Sequence, residues 1–267
     1  MRAELKELRK DCLRVSHAGQ DGNLQSAFSS VEILWTLYHR IMNWSVKRAT
    51  VPGRDIFVLS KGQSTLALHV LLMHLGLFSK EEVMGFCQYD SRFSMQADRT
   101  KFPEGGIEVS AGSLGHGFPI AVGMSMARKI QQSAAHVYVL AGDGEMNEGT
   151  MWEAAALAAA HHLDNLCLII DDNQSLGAML DFGSLQKKLE AFEFVTHECD
   201  GHDTEALTDT IRLAVDEARQ KKKPACIIAK TIRGYGAKTL MENPAWFHCA
   251  PSAEELNTLL REVDEFA

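Results

Sequence analysis

Two strand-length apolar runs, 136–141 and 166–171, frame one helical stretch, and each gives way to a polar cluster: Gly142-Asp143-Gly144 after the first, Asp172-Asn173 after the second. A run that is apolar along its whole length must be buried on both faces. That is the condition of a strand in a parallel sheet covered by helices on either side. The same pattern recurs along the chain. "DIFVLS" (55–60), "FVTHECDG" (194–201) and "ACIIAKTI" (225–232) read as further strands. Helical spacing is found at 2–16 and 29–42, where Ile33, Leu34, Leu37 and Ile41 share a face, again up to Gly76, and at 203–222 and 252–265. The expected fold class is α/β, an open parallel sheet with helices on both faces. No composition shift marks a linker, so residues 1–267 are expected to form one domain. Residues 84–111 lack periodicity and read as a long loop, a kind of segment that usually serves function.

In a strand-helix-strand unit with a right-handed crossover, both strands run the same way. Asp143 and Asn173, thirty residues apart (173 minus 143), then emerge at one carboxyl edge of the sheet, where open α/β folds bind ligands. A carboxylate and an amide carbonyl are hard oxygen ligands, suited to Mg²⁺ or Ca²⁺ and not to zinc. Two such ligands leave most of an octahedron to water and phosphate oxygens. Gly142 and Gly144 let a phosphate approach the backbone, and the helix that begins near Gly149 adds a positive dipole end. Together these residues suit a metal-bound diphosphate. The competing readings are a plain Gly-Asp-Gly turn and a dinucleotide fingerprint. The latter needs G-x-G-x-x-G, and "GDGEMNEG" has its third glycine out of register.

Composition narrows the class of partner. Hydrophobic residues make up 46% and charged residues 23% of 267 positions, enough for a substantial core, and the formal net charge is -8. Beyond "KKK" at 221–223 there is no basic stripe, which argues against nucleic acid. Six cysteines without a CxxC pair read as reduced thiols. No apolar segment is long enough to span a bilayer, and the charged start "MRAELKELRK" is no signal peptide, so a cytoplasmic protein is expected.

"RDIFVLSKGQ", "GIEVSAGSLGHGFPIAVGMSMA", "GDGEMNEGTMWEAA", "DDNQ", "AKTIRGYG" and "MENPAWFHCAP", in that order over roughly residues 20 to 255, resemble the N-terminal, thiamin-diphosphate-binding part of transketolases. In particular they resemble the separately encoded N-terminal subunits of split transketolases. The resemblance implies thiamin diphosphate and Mg²⁺ as cofactors. It implies metal ligation by Asp143, Asn173 and the Ser175 carbonyl, and contact of Gly144 with diphosphate. It puts the backbone of Gly112 and Leu114 against the aminopyrimidine, Glu148 in a charged network between two active sites, and His248 before diphosphate and substrate. It implies self-association and a partner subunit with a pyrimidine-binding domain. That domain carries the family's ylid-forming glutamate, and no segment here resembles it. The chain alone is therefore expected to be inactive. The reaction implied is transfer of a two-carbon ketol unit between sugars.

Three places depart from the family pattern. Gln63 stands where "SKGH" has histidine, Gln96 where a further histidine precedes "GVE", and the N-terminal "GHPG" stretch is matched only by Asn23 or, with a gap, His17. Glutamine can donate to a sugar hydroxyl but cannot shuttle a proton. Changes on one wall point to another substrate or to lost turnover. The rival readings are an acyloin or deoxyxylulose-type synthase component, a non-catalytic regulatory paralogue, and an unrelated magnesium phosphohydrolase. Of the remaining polar residues, His116 reads as a turn or site residue, His161 and His162 as ordinary histidines, and Asp171 or Asp172 as a possible aid to the metal.

Overall fold

The structure, a computed structural model, describes residues 1–175 and 183–266. Five strands, β1 (Ile56–Leu59), β2 (Val137–Gly142), β3 (Leu166–Asp172), β4 (Val195–Asp200) and β5 (Ala225–Lys230), form one all-parallel sheet in the order β1-β2-β3-β5-β4. The helices in chain order are α1 (Ala3–Gly19), α2 (Leu24–Thr36), α3 (Thr65–His74), α4 (Lys80–Met84) and α5 (Gly117–Ile130). They continue with α6 (Gly149–Ala160), α7 (Leu185–Ala191), α8 (Thr204–Lys221), α9 (Lys238–Glu242) and α10 (Ala253–Glu265).

The strand order explains why the apolar runs have no polar face. The chain steps β1, β2, β3 and out to the edge strand β4 in one direction, so right-handed crossovers put α5, α6 and α7 on one face. The return from β4 to β5 reverses direction and puts α8 on the other. The two cores follow strand alternation. Val137, Val139, Leu166, Leu168, Cys226 and Ile228 pack on α5, α6 and α7. Tyr138, Leu140, Cys167, Ile169, Ala225 and Ile227 pack against α1, α2, α3 and α8.

The helical stretch expected at 29–42 starts earlier, because the Asn23 side chain accepts from Ser26 N and caps α2 there. It ends in a π-turn, Leu37–Ile41. Three short helices, α4, α7 and α9, were not apparent from periodicity. α4 has a capping box from Ser79 and Glu82. The loop 84–111 is largely irregular, as expected, yet it has its own packing. Phe93 and Phe102 are buried against Phe78 and His69, and the Arg92 guanidinium lies 5.1 to 5.2 Å from the ring centroids of Phe78, Phe93 and Phe102. His161 and His162 are exposed, Met146 and Met151 are core residues, and all six cysteines are free. Cys12, Cys167 and Cys226 are buried; the other three are half-buried. Among the described residues no helix is long and apolar enough to cross a membrane.

His69 gives this aromatic cluster a pH dependence. It is fully buried, neither ring nitrogen has a hydrogen-bond partner, and burial, reinforced by Arg92, pushes its pKa down to about 3. The folded chain therefore cannot accept a proton that the unfolded chain accepts near its ordinary value of roughly 6.5. This contribution is absent above that value and destabilises as pH falls toward the folded pKa, by about 1.4 kcal/mol per pH unit. Urea unfolding of wild type and His69→Leu at pH 7.5 and pH 5 is the check. About 2 kcal/mol of the wild-type loss over that interval is expected to vanish in the variant; an unchanged loss would refute the assignment to His69.

Candidate active site

The site begins where β2 and β3 end side by side. Gly142 is in register with Asp171, and Asp143 N–H donates to the Asp171 carbonyl at 3.2 Å. Beyond β3, Gln174 adopts a left-handed conformation, φ 63°, and turns the chain back on itself. Ser175 Oγ then donates to Asp143 Oδ1, and Ser175 N donates to Asn173 Oδ1 at 3.2 Å. The Asn173 amide nitrogen donates to Ser29 Oγ at 3.3 Å, so its oxygen is the end that faces the turn. The three expected metal ligands are thus one cluster, held by its own hydrogen bonds. Asp143 is buried, 1% exposed.

Above this cluster opens a cavity of about 690 Å³, within the size range of small-molecule sites. Of the residues singled out from the sequence, Gln63, Leu114, Gly142, Gly144, Glu148, Asn173 and Ser175 line it. Asp143, Gln96, Gly112 and His248 lie outside that lining. Gln96 packs across the turns of Gly62 and Gly112: a Cβ built on Gly62 would fall 2.1 Å from Gln96 Oε1, and one on Gly112 3.0 Å from its Cγ. His248 follows the cavity residue Phe247, is largely exposed, and places Nε2 3.6 Å from Asp21 Oδ1. Neither candidate for the N-terminal histidine reaches the cavity. Asn23 caps α2, and His17 Nδ1 bonds the Pro251 carbonyl at 2.7 Å. His116 is a turn residue, with Nδ1 3.0 Å from the Leu114 carbonyl.

Four charged residues of the site had a minor role or none in the sequence reading. Lys61 is buried, lines the cavity, and pairs with the fully buried Asp171. Asp171 also accepts from Ser29 Oγ at 2.7 Å, Ser30 Oγ at 3.2 Å and Thr231 Oγ1. Burial alone would raise this carboxyl; Lys61 and the hydroxyls outweigh it and hold it below the ordinary carboxylate range. Asp171 is thus engaged by Lys61 and the hydroxyls, and Asp172 Oδ2 lies 2.7 Å from Lys230 Nζ.

Glu145 is the third. Its Oε1 accepts from Ser60 Oγ at 2.5 Å and Gly115 N at 2.8 Å, its Oε2 from Gly142 N at 3.3 Å, and burial raises it despite these bonds. It fastens the "SKGQ", "GSLG" and "GDG" turns to one another. Arg233, the fourth, lines the cavity and makes no ion pair or hydrogen bond among the described residues. The signals were present in the sequence: Lys61 directly after a strand, and Glu145 and Arg233 inside glycine-flanked turns at the carboxyl edge.

A metal-bound diphosphate fits this donor set. No group of three or more His, Cys, Asp or Glu side chains among the described residues could hold a metal. An ion here would take Asp143, the Asn173 carbonyl and a backbone oxygen, with further positions for phosphate oxygens.

Comparison with known proteins agrees with this chemistry. Residues 3–263 match the family model "Transketolase, thiamine diphosphate binding domain". The chain is 36% identical over 249 residues to one of the named subunits of the apulose-4-phosphate transketolase of Actinobacillus succinogenes, covering 91% of this chain and 88% of that one. It is 32% identical over 262 residues to the subunit of the same name from Phocaeicola vulgatus, covering 96% and 91%. A solved transketolase of Pichia stipitis superimposes with a TM-score of 0.87 at 23% identity, over 98% of this chain and 40% of that one, so the present chain spans well under half of that enzyme. The chain belongs to the transketolase family and contains its thiamine diphosphate binding domain.

Proposed function

We propose that this chain is the thiamin-diphosphate-binding subunit of a two-component transketolase, serving as one diphosphate-binding domain and transferring a two-carbon ketol unit between sugars. The observation that carries the reading is the Asp143, Asn173 and Ser175 cluster, in which Asn173 and Ser175 line the 690 Å³ cavity and Ser175 bonds the buried Asp143. Relatives that are themselves named as one subunit of a transketolase, matched over about nine-tenths of both chains, support a separately encoded component. When bound, thiamin diphosphate supplies the carbanion chemistry. The chain's own residues hold and orient. Asp143, Asn173 and the Ser175 carbonyl ligate Mg²⁺, and Gly142 and Gly144 admit the diphosphate. Arg233 adds a cation to the cavity wall. Gly112 and Leu114 present backbone to the ring, and His248 stands near Phe247 at the mouth. The glutamate that forms the ylid comes from a partner subunit with the pyrimidine-binding domain.

The surface supports both self-association and that partner. Ile120 and Leu157 are 41% and 45% exposed on α5 and α6, beside exposed Gly123, Ala127, Ala156 and Ala160, and Glu148 is exposed at the start of α6. Phe247, which lines the site, and Ile232, next to Arg233, are each 46% exposed. Apolar side chains so placed are suited to burial against protein.

The substrate reading rests on Gln63 and Gln96. One lines the cavity and the other packs beside it on Gly62 and Gly112, where the family carries histidine. The two relatives from Actinobacillus and Phocaeicola are named for apulose-4-phosphate. This site is proposed to take a ketose phosphate unlike the usual pentose pair.

Each part has its test. Asp143→Ala is expected to weaken calorimetric binding of thiamin diphosphate with Mg²⁺, partner present, by about a hundredfold, since even groups one step removed from a metal are worth roughly 10- to 100-fold; undiminished binding would sink the ligand assignment. Light scattering is expected to find two copies of this chain with two of the partner, and a monomer indifferent to the partner would rule that out. The reconstituted complex is expected to turn over xylulose and ribose phosphates roughly two to four powers of ten below a usual transketolase, at about 1–3 kcal/mol per mismatched buried hydrogen bond. Gln63→His with Gln96→His should recover part of that deficit. An ordinary rate, unmoved by the two changes, would show the glutamines to be silent.

A further inference from the structure

Arg233, the cavity cation without an ion pair among the described residues, is carried by the loop 231–237. That loop runs from β5 to α9 over a cluster of buried charge that the proposed chemistry does not use. Arg9, Glu32 and His202 come from α1, α2 and the turn before α8; the Arg9 and Glu32 side chains are completely buried and the His202 side chain is 6% exposed. Arg9 NH2 donates to Glu32 Oε2 at 2.7 Å and to the Phe28 carbonyl at 3.0 Å, while its Nε donates to the Tyr235 carbonyl at 2.6 Å. Ile232 N–H donates to His202 Nε2 at 2.8 Å. That bond leaves Nε2 without a proton, so the imidazole carries its hydrogen on Nδ1, 3.2 Å from Glu32 Oε2. The His202 ring is stacked on the Tyr235 ring, centroids 3.6 Å apart and planes 12° apart. Gly234 N–H donates to the Gln25 carbonyl at 3.0 Å. Gly236, at φ 106°, lets the loop close onto Arg9: a Cβ there would lie 2.7 Å from Arg9 Cδ.

We propose that Arg9, Glu32 and His202 are positioning residues that clamp the loop 231–237 from behind and so present Arg233 to the cofactor cavity. The inference rests on the reading of Arg233 as a diphosphate-facing cation. A purely stabilising role accounts poorly for the arrangement. Taking a fully buried ion pair out of water is costly, and well-packed apolar residues of similar volume often stabilise as much. Here Glu32 Oε1 is also buried with no hydrogen-bond partner. What this cluster provides, and apolar packing could not, is directional bonds to two backbone groups of the loop on either side of Arg233: the Ile232 N–H and the Tyr235 carbonyl. Arg9 forms the carbonyl bond and is oriented by Glu32. His202 forms the N–H bond with its tautomer set by the same carboxylate.

The test uses the full chain and His202 variants, because stripping one partner from the Arg9–Glu32 pair can unfold the protein. Hydrogen exchange of the peptide spanning 231–237 is expected to speed up in His202→Ala, with β3 and β5 amides as protected as in wild type. His202→Gln, which keeps an acceptor for the Ile232 N–H, should restore slow exchange. Calorimetry with Mg²⁺ and inorganic pyrophosphate as probe is expected to show about tenfold weaker binding in His202→Ala, the size of one lost ordering hydrogen bond, and no further loss when the same change is made in Arg233→Ala. Unchanged exchange in His202→Ala would overturn the clamp, and so would losses that simply add in the double variant. Wild-type pyrophosphate affinity in Arg233→Ala would instead overturn the role of Arg233 in the cavity and with it the purpose of the clamp, an outcome distinct from failed clamping because the exchange result stands apart from it.

Discussion

The site depends on one buried carboxylate. Asp171, at the end of the central strand β3, receives Lys61 from the end of β1, Ser29 and Ser30 from α2, and Thr231 from the end of β5. Strands β1 and β5 do not touch each other in the sheet, and α2 lies on one face of it. Their ends are joined by donors to the same pair of oxygens. Removing one partner from such a buried pair costs about 3–5 kcal/mol, while the complete knot contributes less net stability than its bonds suggest. Its consequence is geometric: Lys61 forms part of the cavity wall, and Asn173, two residues beyond Asp171, is held through Ser29.

Glu145 performs the matching task for a second set of turns. Its three donors come from three separate turns, Ser60, Gly115 and Gly142. The two carboxylates differ in electrostatics for a visible reason. Asp171 has a lysine and three hydroxyls to offset burial and is held below the ordinary range. Glu145 has hydroxyl and amide donors and a more distant Lys61, and burial prevails. Both organise loops around the place where an anion and its metal would sit, and Asp143, bonded to the Ser175 hydroxyl, is the carboxylate at that place.

Strands β1, β2, β3 and β5 were legible because burial on both faces writes itself as apolar runs, whereas the edge strand β4 is polar and half-exposed beyond Thr196; the observed bounds of all five differ from the expected ones by a residue or two. The short helices α4, α7 and α9 were not, since five to seven residues give too little periodicity to read. For α4 the one usable signal was the spacing of Ser79 and Glu82. The meeting of Asp143 and Asn173 was legible because strand ends in a parallel unit share an edge, and the two residues occupy equivalent ends. Lys61, Glu145 and Arg233 stand inside recognisable motifs and still went unassigned. A lysine after a strand or a glutamate in a turn looks like an ordinary solvated charge until its partners, 30 to 110 residues away in sequence, are known.

By itself the sequence determined the layered parallel sheet and the meeting of Asp143 and Asn173 at one edge of it, because both follow from local pattern and the handedness of a single crossover. Which charges line the cavity and which support it was decided only in three dimensions. Asp171 looked like a possible aid to the metal and is paired with Lys61 in the interior; Gln96 looked like a cavity residue and is a wedge between two turns; Arg233, which drew no reading of its own, is a cation of the cavity wall. Burial, hydrogen-bond partners and distance distinguish these cases, and all three are properties of long-range contacts that no local stretch of the chain encodes.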